Sequence, residues 1–96
     1  MSNNTSGFIG ISYRKDRDRY DPEIRLNKIR CHLGYTKTLE EAVFKRAYAE
    51  EILFQEFTNE QEHIKKIKFT KNLPEEIKQQ LKLIVEEKLK AKKLWQ

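Results

Sequence analysis

Between Arg19 and Leu33 apolar and polar side chains alternate with a period of two, and that alternation constrains this chain more than any other feature. Tyr20, Pro22 and Ile24 alternate with Arg19, Asp21, Glu23 and Arg25; beyond Asn27, the residues Ile29, Cys31 and Leu33 alternate with Lys28, Arg30 and His32. Successive side chains of a strand point to opposite faces, so the pattern predicts strands with one apolar and one polar side. Phe8-Ile9-Gly10-Ile11-Ser12-Tyr13-Arg14, rich in aromatic and β-branched residues, predicts a strand before them, with Gly10 as a bulge or a point of close approach. Lys15 to Asp18 reads as a charged turn and Asn27-Lys28 as a tight one. Pro22 has no N–H to give to a ladder, which predicts a bulge or an edge position there.

In this register Ile11, Tyr13, Tyr20, Ile24, Ile29, Cys31 and Leu33 share an inner face. Ser12, Arg14, Arg19, Glu23, Arg25, Lys28, Arg30 and His32 share the outer one. A sheet with one apolar face needs cover, and the next segment supplies it. Thr38-Leu39-Glu40-Glu41 is a capping box, in which the Thr hydroxyl accepts from the Glu41 amide. It predicts a helix to about Phe57, with Leu39, Ala42, Val43, Ala47, Ala49, Ile52 and Leu53 at helical spacing and an acidic face turned outward. Residues 58–72 read as helix, strand or loop. Leu73-Pro74-Glu75-Glu76 starts a last helix, with proline in the first turn and acids on the favourable end of the dipole. Its Ile77, Leu81, Ile84, Val85 and Leu89 form an apolar stripe that must be covered, by docking on the domain or by pairing in a homodimer.

The expected fold class is therefore α+β, a three-stranded antiparallel sheet packed on one helix and followed by a C-terminal helical extension. Residues 1–6 form a polar, flexible arm, residues 7–57 the sheet and helix, and residues 58–96 a linker and amphipathic helix.

The net charge of +5 is unevenly spread. Residues 7–37 carry eight Lys/Arg against four Asp/Glu, residues 38–63 two against seven, and residues 64–96 ten against four. Basic ends around an acidic middle point to a polyanion partner on one face. Cys31 is the single cysteine, which excludes an internal disulfide and a thiolate metal cluster and favours a reducing compartment. Adjacent Cys31 and His32 point to opposite faces of a strand, with His63 distant, so neither a metal nor a nucleophile constellation forms. No phosphate-binding or dinucleotide motif is present, and no stretch reaches the ~20 apolar residues of a membrane span. The start of the chain lacks a secretory pattern, so the expectation is a cytoplasmic protein that is not an enzyme and needs no cofactor.

Gly10-Ile11, then Glu23-Ile24-Arg25, then Leu33-Gly34-Tyr35-Thr36-Lys37-Thr38-Leu39-Glu40-Glu41-Ala42 resembles the Apetala-two/ethylene-response-factor type of DNA-binding domain. That family also occurs in bacterial and phage mobile elements, often beside HNH nuclease or integrase modules. The resemblance covers about residues 7–57 and is carried mainly by the run from Leu33 to Ala42. It implies a sheet lying in the major groove, with Ser12, Arg14, Arg19, Glu23, Arg25, Arg30, His32 and Tyr35 at the DNA. Tyr35 enters this set from the resemblance alone; alternation selects the others independently, and Lys28 with the turn cations Lys15 and Arg17 extends the same surface. Plant members usually have arginine where this chain has Ile9 and Ser12, and tryptophan where it has His32.

The expected function is sequence- or shape-selective binding of double-stranded DNA by a phage or mobile-element regulatory or accessory protein. The alternative is a small inhibitor that binds a host nucleic-acid enzyme or defence complex, in the manner of an anti-CRISPR protein. A third reading is a targeting module for a nuclease or integrase.

Overall fold

The computed structural model describes residues 8, 10–26, 28–53 and 60–94. The expected arm at 1–6, Asn27 of the second turn and the continuation of the first helix to Phe57 lie outside these residues. Three strands come first, β1 (Ile11–Arg14), β2 (Arg19–Leu26) and β3 (Ile29–His32), then three helices, α1 (Leu39–Leu53), α2 (Glu60–Phe69) and α3 (Glu75–Ala91). The fold is α+β. The sheet is antiparallel in the order β1-β2-β3. Residues 58–72, open between three readings in the sequence, thus hold α2.

Register follows from the alternation. Ile11 pairs with Pro22 and Tyr13 with Tyr20 on one face, while Ser12 pairs with Asp21 and Arg14 with Arg19 on the other. Across β2 and β3, Ile24 pairs with Cys31, and Glu23 with His32 and Arg25 with Arg30. Leu26 pairs with Ile29, and Lys28 between them takes a left-handed φ of 68°. Ile11, Ile24, Cys31 and Leu33 are buried as expected. Ile29 is a correction: beside the tight turn it lies past the helical cover and stays 41% exposed.

Pro22 lies on the central strand, not at an edge, and the expected bulge falls in the chain facing it. Glu23 pairs with His32 but Tyr20 with Thr36, so Asp21 and Pro22 face three residues, Leu33, Gly34 and Tyr35. Pro22 O accepts from Leu33 N at 2.8 Å, which turns its missing N–H toward this bulge, where no ladder bond is required. Gly34 takes a φ of 96° there, a conformation that suits glycine.

Thr38 Oγ1 accepts from Glu41 N at 3.2 Å and starts α1. Ala42, Val43, Ala47 and Ala49 are buried. One apolar cluster joins Phe8, Ile11, Ala42 and Val43; a second joins Ile24, Cys31, Leu33 and Ala49 to Val85 and Leu89 of α3. The apolar stripe of α3 is therefore covered within the chain, with Leu81, Val85 and Leu89 buried, Ile77 half-buried and Ile84 at the exposed margin. Both α2 and α3 pack on α1, and they do not pack on each other. None of the described helices is long and apolar enough to cross a membrane.

The acidic outer face expected of α1 is also corrected. With helices on two sides, α1 becomes the centre of the molecule: its side away from the sheet carries Phe44, Tyr48 and Glu51, with Ala47 buried between them. Glu50 is buried and takes Arg46 Nε on Oε2 at 2.8 Å, Lys66 Nζ on the same oxygen at 3.3 Å and His63 Nδ1 on Oε1 at 2.8 Å. Lys66 is wholly buried and also reaches Glu62 at 3.2 Å. Arg46 Nη1 donates to the carbonyl of Glu23 at 2.7 Å. Gly10 makes room for it: at φ 87°, a Cβ there would stand 2.8 Å from Arg46 Nε. The sequence reading of Gly10 as a close-approach point holds for this reason.

Removing Glu50 takes the shared carboxylate from the buried Lys66, which keeps only the partly exposed Glu62 beside it, and from the half-buried Arg46. Glu50→Ala should therefore lose about 3–5 kcal/mol, a large share of the stability of a domain this size. Urea denaturation of both proteins checks it, and a shift below about 1 kcal/mol would show that the network is dispensable.

Candidate nucleic-acid interface

The outer face of the sheet gathers the residues that alternation selected. Ser12, Arg14, Arg19, Glu23, Arg25, Arg30 and His32 share it by register, and Arg14, Arg25, Arg30 and His32 are exposed. The turn cations Lys15 and Arg17 and the second-turn Lys28 are exposed at its ends. Tyr35, 45% exposed, belongs to the bulge, and the Arg17 guanidinium lies 5.2 Å from its ring centre. One sheet, one tight turn and one bulge thus bring the sequence-derived set to one side of the molecule.

Charge on this face is banded. Arg14 stands directly opposite Arg19, and Arg25 directly opposite Arg30. Like charges on one antiparallel rung are unfavourable. The rungs stand six residues apart along β2, about 20 Å at the rise of an extended strand. Acids relieve them in part: Arg30 Nε meets Glu23 Oε1 at 3.1 Å, and Arg14 Nε lies 3.8 Å from Asp16 Oδ1. Arg19 and Arg25 have no ion pair among the described residues.

Between the rungs lies a residue the sequence-derived set omitted. Asp21 points to the outer face yet is buried, and His32 donates to its Oδ1 through Nδ1 at 3.3 Å. The alternation placed Asp21 correctly; its burial under His32 is a packing outcome that spacing does not carry. Asp21, Glu23 and His32 bring one ligand atom each within 4.8 Å of one another, a set of donors a divalent ion could use. Arg30 already supplies a cation to Glu23, so the cluster is satisfied as an ion-pair network.

Among the described residues, none beneath this face has the makings of a nucleophile. Cys31 points into the core, donating weakly to the carbonyl of Lys88 at 3.5 Å, and burial pushes its thiol pKa up. His63 belongs to the Glu50 network on the helical side. Since the thiolate is the reactive form, Cys31 should resist maleimide at pH 7.5 in the folded protein and react only on denaturation. Mass spectrometry before and after urea checks this, and rapid labelling of the native protein would contradict the burial.

Comparison with protein-family models, with curated proteins and with solved structures found no match for this chain.

Proposed function

We propose that the protein binds double-stranded DNA through the outer face of its sheet. The observation that carries this reading is the pair of arginine rungs. Each sets two like charges side by side, an arrangement that weakens a sheet unless an anion occupies it. The B-form major groove is about 12 Å wide, so rungs at about 20 Å can reach phosphates on both of its banks. Ser12, Glu23 and His32 then face the base edges, where a carboxylate can accept from cytosine N4. Phosphate contacts would set the register and these central groups the preference. Lys15, Arg17, Lys28 and Tyr35 extend the contact along the backbone. The resemblance to Apetala-two/ethylene-response-factor domains supports the same face and the same residues. It also favours a regulatory or accessory role in a cytoplasmic, mobile-element setting, without catalysis.

One observation favours a second reading. Glu23 keeps a partly exposed carboxylate at the centre of the face, where phosphate is unwelcome, and a protein partner such as a host nuclease or defence complex would meet it with a cation.

Two measurements on Arg25→Ala and Arg30→Ala test the proposal. If each arginine makes a good base contact, duplex affinity should fall by about 1–3 kcal/mol with relaxed sequence preference. If it grips phosphate, the loss should be uniform across sequences and the salt slope should flatten by about one. The same substitutions should leave the fold as stable or more stable, by about 0.2–1 kcal/mol, because a like-charge rung is removed. Unchanged duplex affinity in the double variant would refute the DNA reading and leave the protein partner.

A further inference from the structure

On the side of α1 turned away from the sheet, α2 and α3 diverge and leave a groove of about 280 Å³. Its floor is the outward stripe of α1, with Phe44, Ala47 and Tyr48 at helical spacing. The Phe44 and Tyr48 rings lie parallel, 6.4 Å apart. Ile67 closes one wall and remains 42% exposed, so apolar surface is left in water. Tyr48 is held in place by its hydroxyl, which donates to Glu86 at 2.5 Å.

The rim is cationic. Lys71, Lys78 and Lys82 line it, and none of the three forms an ion pair among the described residues. Lys82 Nζ stands 5.7 Å from the Tyr48 ring centre. Two acids also line the groove: Glu51 faces His63 Nε2 at 3.6 Å, and Glu75 sits in the first turn of α3, where the helix dipole favours it. An apolar floor under three uncompensated ammonium groups is complementary to a segment that is apolar on one side and acidic on the other. The volume is at the bottom of the range for small-molecule sites, so it suits a few anchoring side chains better than a cofactor.

We propose that this groove docks an acidic amphipathic helix of a partner protein, its apolar residues on Phe44, Tyr48 and Ile67 and its carboxylates on Lys71, Lys78 and Lys82. This is the helix-in-groove mode of recognition, in which anchors at i, i+3 or i+4 enter the floor and charge on the flanks sets orientation. The groove lies on the opposite side of α1 from the sheet and does not depend on what the sheet binds. A chain with both surfaces would join its sheet ligand to a second protein.

The test uses the full chain and a fluorescently labelled synthetic helix, glutamate-rich with leucine and phenylalanine at i and i+4. The controls are a scrambled peptide of the same composition and a version with lysine for glutamate. Fluorescence anisotropy should give a Kd of about 10–100 µM for the patterned peptide, about tenfold weaker binding for the scrambled one and none for the basic one. The triple variant Lys71→Glu, Lys78→Glu, Lys82→Glu should abolish binding while its melting stays near that of the parent, since the three side chains lie on the rim. Duplex affinity of the triple variant, read in parallel, should fall little, which separates this groove from the sheet. Absence of binding up to about 1 mM, equal binding of patterned and scrambled peptides, or full retention by the triple variant would overturn the proposal. So would capture of single-stranded oligonucleotide through the same three lysines in preference to the acidic helix.

Discussion

Arg46, Glu50 and Lys66 tie three layers of this protein together. Arg46 reaches up from α1 to a carbonyl of β2, Glu50 takes the other side of its guanidinium, and Lys66 of α2 closes on the same carboxylate. Burying these charges is expensive unless each finds its partner, so the geometry admits little freedom. Gly10 has to be small and left-handed where Arg46 passes, and that fixes the edge of the sheet against the helix. The neighbouring Lys45 makes an equivalent contact on the other side. Its ammonium is buried, donates to the carbonyl of Gly34 at 3.3 Å, and is pulled to a lower pKa by desolvation. The two cations of an otherwise acidic segment are thus spent on holding the sheet.

That arrangement explains why α1 is apolar on more than one side. Its upper face meets the sheet through alanines and Val43, and its flanks receive α2 and α3. What remains of it carries aromatic side chains. Burial together with the hydrogen bond to Glu86 pushes the Tyr48 hydroxyl up to about 12, so it remains a donor at any ordinary pH. On the far side of the sheet the logic is reversed. The arginines there are set against one another, and nearby acids relieve only part of the conflict.

Much of this was legible in local patterns. Alternation selected the members of each sheet face, the Thr38 box marked the start of α1, and Gly10 announced a close approach. The stripe on α3 called for cover and found it on the second apolar cluster. Less was legible where a residue's fate depends on what lies opposite. Ile29 has the right parity for the core but sits past the reach of the helices. Asp21 has the parity of a surface residue and is buried under His32. Pro22 pointed to a bulge in its own strand or an edge position, but β2 is central and the bulge falls in the facing chain, where Thr36 returns to Tyr20.

The sequence by itself determined the strands, their register, the sign of charge on each face and where two of the three helices start. These depend on backbone geometry and on neighbours a few residues away, which spacing encodes directly. Tertiary structure alone decided that Glu50, Lys66 and His63 would be buried together, that α1 would lie at the centre, and that α2 and α3 would part to leave a groove. A lysine or glutamate carries the same letter whether it is solvated or enclosed. Which of them leaves water is settled by the charges that other elements bring within reach, and no local pattern in the chain records that meeting.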